Sequence, residues 1–182
     1  MPRKALVVLA EGFEDVEAVT AIDVLRRAEI EVTVAGLGSE TVKGARGVVV
    51  KADTLLEKAD DMPDAIVLPG GMPGAENLAR STRLKDLIVK LDKAGKLICA
   101  ICAAPALVLE PTGVLEGKKA TCYPGMEKSF SPLVKFTKEN VVQDRNVITS
   151  RGPATAIAFG LKIAENLVGK AKADMIGEHM LV

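Results

Sequence analysis

The sequence has little aromatic or imidazole chemistry, because its 182 residues include no tryptophan, one tyrosine and one histidine. The lone histidine, His179, is among the last four residues. A metal site would lack ligands, and a cysteine–histidine dyad of the thiol-protease type would have to recruit this terminal residue. We therefore predict no metal site and no cofactor, and we interpret His179 as a surface or packing residue.

An excess of one charge is also absent, since 24 Lys and Arg residues balance 24 Asp and Glu residues. No basic stripe with interleaved aromatic residues occurs, which argues against nucleic acid as the main partner. The apolar run at residues 5–10 is too short for a signal peptide or a membrane span. Three cysteines are an odd number and favour a reducing cytosol over a disulfide framework. We therefore expect a cytoplasmic protein that does not enter membranes.

What the chain does have is 48% hydrophobic residues, enough for one domain over residues 1–182 with a full core. Apolar runs and helical periodicity alternate along it. Strands are predicted at residues 4–10, 31–37, 64–68, 97–101, 119–122 and 134–136, within 41–53 after a turn, and as a possible antiparallel pair within 141–150. Helices are predicted at 14–28, from Ser81 to Gly95, from about residue 103, and at 155–168. This alternation predicts an α/β doubly wound, mostly parallel sheet.

Three loops that follow predicted strands are candidates for the chemistry, at residues 11–17, 69–75 and 102–104. In open parallel sheets, ligands bind beyond the carboxyl ends of the strands. The loops converge only if their strands are neighbours in the sheet, which the sequence alone leaves open.

Cys102 lies at the junction between an apolar strand and a helix. Free N–H groups and the positive end of the helix would stabilise a thiolate there, so a reactive thiol is the working hypothesis. The alternative is a small buried hydrophobe. Cys99 and Cys102 match C-x-x-C formally, but residues three apart on a strand face opposite sides, so we interpret Cys99 as a core residue. Cys122 is ambiguous.

Glu17 lies in the first turn of the predicted helix 14–28, among apolar neighbours. One interpretation is an ordinary first-turn acid that interacts with the helix dipole. The other is an inward-facing carboxyl whose pKa is raised, so that it carries a proton near neutral pH.

The run Pro69-Gly-Gly-Met-Pro-Gly is either a simple turn between strand and helix or a loop whose backbone N–H groups approach a ligand or an oxyanion. It lacks the GK[ST] of a phosphate loop, and no GxGxxG follows the first strand. Nucleotide binding therefore has little support.

Five segments carry a resemblance to a known family: AEGFEDVE at 10–17, IDVLRR at 22–27, VLPGG with GA at 67–71 and 74–75, AICAAP at 100–105 and TSRGP at 149–153. In this order, over nearly the whole chain, the sequence resembles the ThiJ/PfpI superfamily, and within it the branch of the parkinsonism-associated protein deglycase and its bacterial and plant relatives. The resemblance implies a flavodoxin-like fold with helices on both faces of the sheet, of the class I glutamine amidotransferase-like type, and a homodimer.

The resemblance also implies roles for individual residues. Cys102 corresponds to the family's cysteine at a strained elbow, and Glu17 to its partner carboxyl. Gly70, Gly71 and Ala103 would then bind substrate or an oxyanion. Tyr123 is the fourth predicted substrate- or oxyanion-binding residue and stands where many members have a histidine. A tyrosine can donate a hydrogen bond, but it is a poor base at neutral pH, with a reference pKa of about 10, so imidazole chemistry is not expected there.

The activity implied by the resemblance is a glutathione-independent conversion of α-oxoaldehydes such as methylglyoxal or glyoxal to hydroxy acids. The same chemistry on early glycation adducts of protein or nucleotide amines would be a deglycase reaction. The alternatives are an oxidative-stress sensor or redox-regulated chaperone that uses a Cys102 sulfinate, and a binding protein with a vestigial site. Peptidase activity is disfavoured because Ala103 replaces the histidine that follows the cysteine in the protease-like branch.

Overall fold

A computed structural model describes residues 2–59 and 62–182. Most of its strands join one seven-stranded sheet, and two short pairs lie outside it. The strands are β1 Lys4–Leu9, β2 Glu31–Gly36, β3 Thr41–Lys43, β4 Val49–Lys51, β5 Thr54–Leu55, β6 Ala65–Leu68, β7 Leu97–Ile101, β8 Lys119–Ala120, β9 Lys135–Phe136, β10 Val141–Asp144 and β11 Val147–Ser150.

The large sheet has the order β10-β11-β7-β6-β1-β2-β5, and every neighbouring pair except β10 with β11 is parallel. Strands β1, β6 and β7 are buried nearly throughout, as expected for parallel strands covered on both faces. The predicted antiparallel pair within 141–150 is confirmed, with Arg145 at the turn in a positive-φ conformation.

Five α-helices cover the sheet within the described part of the chain: α1 Asp15–Arg27, α2 Gly74–Arg80, α3 Thr82–Lys93, α4 Ala156–Val168 and α5 Lys170–His179. Helix α1 packs on α4, and α4 packs on α5, which makes one layer. Helices α2 and α3 contact each other and a π-helix at Pro105–Leu109, which makes the other. The flavodoxin-like α/β fold is therefore confirmed.

The helix predicted from about residue 103 is present but short. Pro105 takes the first position of the π-helix, where its missing N–H costs little, and a 3₁₀ turn at Glu110–Thr112 follows. Helices α2 and α5 are not among the predicted helices. Helix α2 begins at Gly74, the last residue of the Pro-Gly run, and α5 follows directly after Gly169 ends α4.

The order of the strands creates a switch point between β1 and β6. From β1 the chain crosses through α1 to β2 on one side, whereas from β6 it crosses through α2 and α3 to β7 on the other. Right-handed crossovers in opposite directions place the two sets of helices on opposite faces. The loops after β1 and β6 are thus left side by side at the carboxyl edge, where α/β folds bind ligands.

Candidate active site

The three predicted loops converge, because β7, β6 and β1 are consecutive in the sheet. The loops after β1 and β6 are joined by two hydrogen bonds: Glu14 N donates to Gly70 O over 3.0 Å, and Gly74 N donates to Gly12 O over 3.1 Å. Gly71 has φ +88°, and a Cβ there would lie 2.3 Å from Glu14 N. Only glycine fits this close approach, so the glycine run has a structural function beyond that of a simple turn.

Cys102 sits at a sharp elbow at the end of β7. Its φ is +63°, a conformation that costs a non-glycine residue roughly 1–2 kcal/mol. The backbone is fixed on both sides, since Cys102 N donates to Ser150 O over 2.9 Å and Cys102 O accepts from Tyr123 N over 2.8 Å. The side chain is only 8% exposed and lines a pocket. The strained elbow implied by the resemblance is present.

Glu17 is fully buried on α1, which supports the inward-facing interpretation. Its Oε2 accepts the N–H of Gly70 over 2.8 Å, and its carboxyl also interacts with the Cys102 thiol. Its Oε1 is buried and has no hydrogen-bond partner by distance and angle among the described residues. Burial raises the pKa of Glu17 to about 7, although the Gly70 N–H and the thiol oppose the rise.

The expectation of a lowered thiol pKa at Cys102 has to be corrected. Burial and the negative charge of Glu17 raise the pKa of Cys102 to about 12. The predicted backbone donors are present, and the N–H groups of Gly71 and Ala103 lower the thiol pKa, but they are outweighed. A proton retained on Glu17 removes the opposing charge and turns the carboxyl into a donor to sulfur. The two groups therefore act as one acid that loses its first proton near neutrality.

The predicted role of Gly70 also has to be revised. Its N–H is engaged by Glu17, so it is not free to donate to a substrate oxyanion. A Cβ at Gly70 would lie 2.7 Å from Cys102 Cβ and 3.0 Å from Glu17 Oε2. Gly70 is therefore a positioning residue that lets thiol and carboxyl approach each other. Gly71 and Ala103 remain the predicted oxyanion donors.

The pocket above the thiol has a volume of about 420 Å³. Tyr123 forms part of its wall, half-exposed, with its ring against Gly152, where an added Cβ would lie 3.3 Å from the ring. The other lining residues are Glu14, Ala45, Arg46, Gly71, Met72, Ala103, Met126 and Pro153. A larger cavity of about 550 Å³ lies between α4 and α5, but no cysteine lines it, so the chemistry belongs to the smaller one.

Sequence reasoning missed two residues of this pocket wall that bear charge, Arg46 and Glu14. Arg46 stands at the tip of the hairpin formed by β3 and β4, within a Gly-Ala-Arg-Gly turn. Nothing local in that turn indicates that it folds back over the carboxyl edge of the sheet. The buried acid Asp15, which accepts the N–H groups of Arg46 and Val48, holds it there.

The other candidates from the sequence lie elsewhere. Cys99 and Cys122 are buried free thiols, and burial raises the pKa of each, of Cys122 to about 12. Cys99 is a core residue of β7, as interpreted. His179 is exposed on α5. Across residues 2–59 and 62–182, no three metal-ligating side chains cluster, and no helix is long and apolar enough to span a membrane.

Comparison with known proteins gives a consistent result. The model of the DJ-1/PfpI family matches residues 3–166. Protein dj-1beta of Drosophila melanogaster is 47% identical, with 100% of this chain and 98% of that protein covered. The protein named glutathione-independent glyoxalase DJR-1.2 of Caenorhabditis elegans is 37% identical, with 96% and 94% covered. The solved structure of oxidized Toxoplasma gondii DJ-1 superposes with a TM-score of 0.94 at 42% identity, with 98% of each chain covered.

Proposed function

The chain belongs to the DJ-1/PfpI family, and from that premise we propose that it is a stress-protective enzyme that converts α-oxoaldehydes to 2-hydroxy acids without glutathione. A relative that covers nearly the whole chain is named as a glutathione-independent glyoxalase. The proposed substrates are small, such as methylglyoxal and glyoxal, and the reaction needs no cofactor.

The observation that carries the proposal is the pairing of Glu17 with Cys102 beneath one pocket. A carboxyl with a pKa of about 7 can both give and take a proton at physiological pH. The thiol beside it is the nucleophile. The isomerisation of an α-oxoaldehyde needs both of these functions.

The proposed reaction starts when the Cys102 thiol gives its proton to the Glu17 carboxylate as the sulfur adds to the aldehyde carbon. Glu17 passes that proton to the carbonyl oxygen, which gives a hemithioacetal and restores the carboxylate. The Glu17 carboxylate then removes the hydrogen from that carbon and returns it to the neighbouring ketone carbon, while the hydroxyl proton on the first carbon moves to the oxygen of the second. The product is a hydroxyacyl thioester. Water cleaves it, so that the hydroxy acid leaves and the thiol is restored, with one water consumed per turnover.

The N–H groups of Gly71 and Ala103 support this sequence, because they already point at the sulfur. An oxygen that develops negative charge on the carbon bound to that sulfur lies within their reach. One such donor typically contributes about 3 kcal/mol to the transition state. An early glycation adduct is a hemiaminal, and the Cys102 sulfur would displace its amine, which leaves with the thiol proton, to give the same hemithioacetal. The later steps are then unchanged, and the protein would be a deglycase.

The test is lactate production from methylglyoxal in the absence of glutathione. Cys102→Ser and Glu17→Gln are each expected to lower kcat/KM by a factor of at least about 100, the scale of general acid–base catalysis. Cys122→Ser, which replaces another buried thiol, is the matched control and should keep the wild-type rate. Retention of wild-type rate by either site variant would refute the role of that residue.

A second candidate function is oxidative-stress sensing, with or without chaperone activity. The donors that face sulfur, Gly71, Ala103 and a protonated Glu17, could hydrogen-bond the oxygens of a Cys102 sulfinate. One structural neighbour is described as oxidized. Intact mass after mild peroxide is the test, and sensing requires a gain of two oxygen atoms that Cys102→Ala abolishes. Equal suppression of aggregation by wild type and Cys102→Ala, without turnover, would instead favour a simple binding protein.

We also propose that the protein is a homodimer. Four exposed valines lie on two adjoining elements, Val16 and Val19 on α1 and Val48 and Val49 at the hairpin of β3 and β4. Asp15 joins these elements through hydrogen bonds to the backbone of the hairpin. Exposed apolar side chains grouped on adjoining elements are typical of an interface.

A further inference from the structure

The strained elbow at Cys102 is held through both of its backbone polar groups. Its N–H donates to Ser150 O over 2.9 Å, and its carbonyl accepts from Tyr123 N over 2.8 Å. Because a φ of +63° is unfavourable for a residue with a Cβ, the elbow persists only where its surroundings enforce it. The shape of the nucleophilic turn therefore depends on how firmly these two partners are themselves placed.

The two partners differ in their own support. Ser150 belongs to β11, which pairs with β7 on one side and with β10 on the other, so the large sheet fixes its carbonyl. Tyr123 follows β8, which lies outside the large sheet and pairs with β9. The carbonyl side of the elbow therefore needs a further attachment between the segment that carries Tyr123 and the large sheet.

Segment 119–123 makes that attachment through N–H groups at alternate positions, which donate to β10, to β11 and to the residue that follows β7. They are Lys119 N, which donates to Asp144 Oδ2 over 2.8 Å, Thr121 N, which donates to Thr149 Oγ1 over 2.9 Å, and Tyr123 N, which donates to Cys102 O. Of the two bonds that a side chain accepts, the one to Thr149 is nearer to the elbow along the segment. Thr121 and Thr149 are both fully buried, so water does not replace either group.

The bond between Thr121 and Thr149 is therefore a support of the nucleophile. Without the Thr149 hydroxyl, Thr121 N would be a buried donor that lacks an acceptor, which is unfavourable enough for the segment to shift toward another acceptor. The shift would draw Tyr123 N away from Cys102 O and let the elbow relax. The sulfur would then leave its position beside the Glu17 carboxyl, and the two groups would no longer titrate together.

We propose that Thr149 is a positioning residue for the nucleophile, and that it acts through Thr121 and Tyr123 to keep Cys102 in its strained elbow. This inference rests on the proposed function, because it concerns the thiol that the proposed reaction uses. Tyr123 contributes its backbone N–H to this support, independently of its ring and its hydroxyl.

The first experiment measures the pH dependence of Cys102 alkylation by iodoacetamide, a neutral reagent, and needs no turnover. In wild type the rate should rise through an inflection near pH 7, where the Glu17–Cys102 pair loses its first proton. Thr149→Val removes the acceptor and keeps the size of the side chain. Its inflection should move upward by at least about one unit, toward the ordinary thiol pKa of about 8.5. Thr149→Ser keeps the hydroxyl and should restore the wild-type inflection.

The same variants are assayed with methylglyoxal. Thr149→Val should lower kcat/KM about tenfold or more, because even a displacement of about 1 Å between reacting groups is costly, whereas Thr149→Ser should stay close to wild type. Thr112→Val is the matched control, since the Thr112 hydroxyl is also hydrogen-bonded, to Leu109 O over 2.6 Å, but lies beyond the π-helix. It should keep the wild-type inflection and rate.

The second experiment follows hydrogen exchange at the Tyr123 amide, which the bond to Cys102 O protects. Thr149→Val should speed this exchange about tenfold or more, the scale of one lost hydrogen bond, while Thr112→Val leaves it unchanged. Thr149→Ala also lacks the hydroxyl and is smaller than valine. It should reproduce both effects, so the test stands even if the valine variant fails to fold.

The outcomes are distinct. An inflection that stays near 7 in a folded variant without the Thr149 hydroxyl overturns the inference, even if the Tyr123 amide exchanges faster, because Thr149 would then support the segment without positioning the thiol. An equal shift in Thr112→Val overturns it as well. A shift confined to the Thr149 variants, in a protein whose wild type fails to convert methylglyoxal, supports the positioning of the thiol and removes the proposed isomerase function.

Discussion

Glu17 Oε2 accepts the N–H of Gly70 over 2.8 Å, and this bond joins α1 to the loop after β6 directly beneath the Cys102 thiol. The bond fixes which oxygen of the buried carboxyl faces the backbone. It also opposes the rise in the pKa of Glu17, which burial nevertheless raises to about 7. The site therefore keeps the Glu17 carboxyl in an environment that disfavours its charged form.

The first prediction concerns stability and pH. The folded-state pKa of Glu17 is above its ordinary value of 4.5, so between pH 4.5 and about 7 the folded chain holds a proton that the unfolded chain has lost. The stability from this group is complete below pH 4.5 and is lost as pH rises to 7, an effect of about 3 kcal/mol. Glu17→Gln carries no such charge. The free energy of unfolding in urea is measured for both proteins at pH 4 and at pH 8. The value for Glu17→Gln minus the value for wild type should be larger at pH 8 than at pH 4. Equal differences at the two pH values would contradict the assignment.

The second prediction concerns the rate. Because the Glu17–Cys102 pair loses its first proton near neutrality, kcat/KM for methylglyoxal should rise with pH through an apparent pKa of about 7. Glu17→Gln should lack that inflection and show only a weak residual rate. The pH profiles of the two proteins, measured in buffers of constant ionic strength, test this. An inflection near 7 that survives the substitution would have to come from another group.

The third prediction concerns Gly70. An added methyl group would lie 2.7 Å from Cys102 Cβ and 2.9 Å from Ala103 N, so Gly70→Ala must push the elbow away from Glu17. We expect a loss of roughly 1–3 kcal/mol in the free energy of unfolding and a fall in kcat/KM of more than tenfold. Gly177→Ala is the control. Gly177 lies within α5, and an added Cβ would be 3.4 Å from Leu161 Cδ1 of α4, which is an ordinary van der Waals contact. That control should be stabilised by about 0.5–1 kcal/mol, with its activity retained.

Much of the fold could be predicted from local signals. The helix predicted from Ser81 is confirmed, and Ser81 caps it, since its Oγ accepts Leu84 N over 3.2 Å. The helix predicted at 155–168 is confirmed as α4, which ends at Gly169. Helix α5 was missed because only Ala173, Ile176 and Gly177 of its ten residues are buried, which leaves too narrow an apolar face for periodicity to show.

The main residues of the candidate site could be predicted from the sequence, but the pKa of its thiol could not. Motif and position indicated Cys102 and Glu17, and both are in the pocket region. The predicted lowering of the Cys102 thiol pKa was wrong. A helix terminus near the thiol can be inferred from the sequence, whereas the burial of the thiol beside a carboxylate cannot. Arg46 reaches the pocket only through the long-range contact of its turn with Asp15, and a single sequence gives no sign of it.

Tyr123 gives the fourth prediction. Its ring packs against Gly152 and forms part of the pocket wall, whereas its hydroxyl hydrogen-bonds no other described residue. If the residue serves as a wall, Tyr123→Phe should keep kcat/KM within about threefold, because the substitution preserves the ring and removes only the hydroxyl. Tyr123→Ala should raise KM by opening the wall. A loss of more than tenfold in kcat for the phenylalanine variant would instead assign the hydroxyl a role in the chemistry.

The last prediction concerns the proposed dimer. Val16 and Val49 are 51% and 58% exposed on elements that Asp15 holds together, so a carboxylate at either position would be buried without a partner in a dimer that uses this face. Val49→Asp is expected to shift the protein from dimer to monomer in sedimentation equilibrium, because an uncompensated buried charge costs several kcal/mol. Leu133, equally exposed at 58%, lies outside the patch, and Leu133→Asp is the matched control. If Val49→Asp leaves the mass unchanged while wild type is dimeric, the dimer uses another surface. A monomeric wild type would refute the homodimer itself.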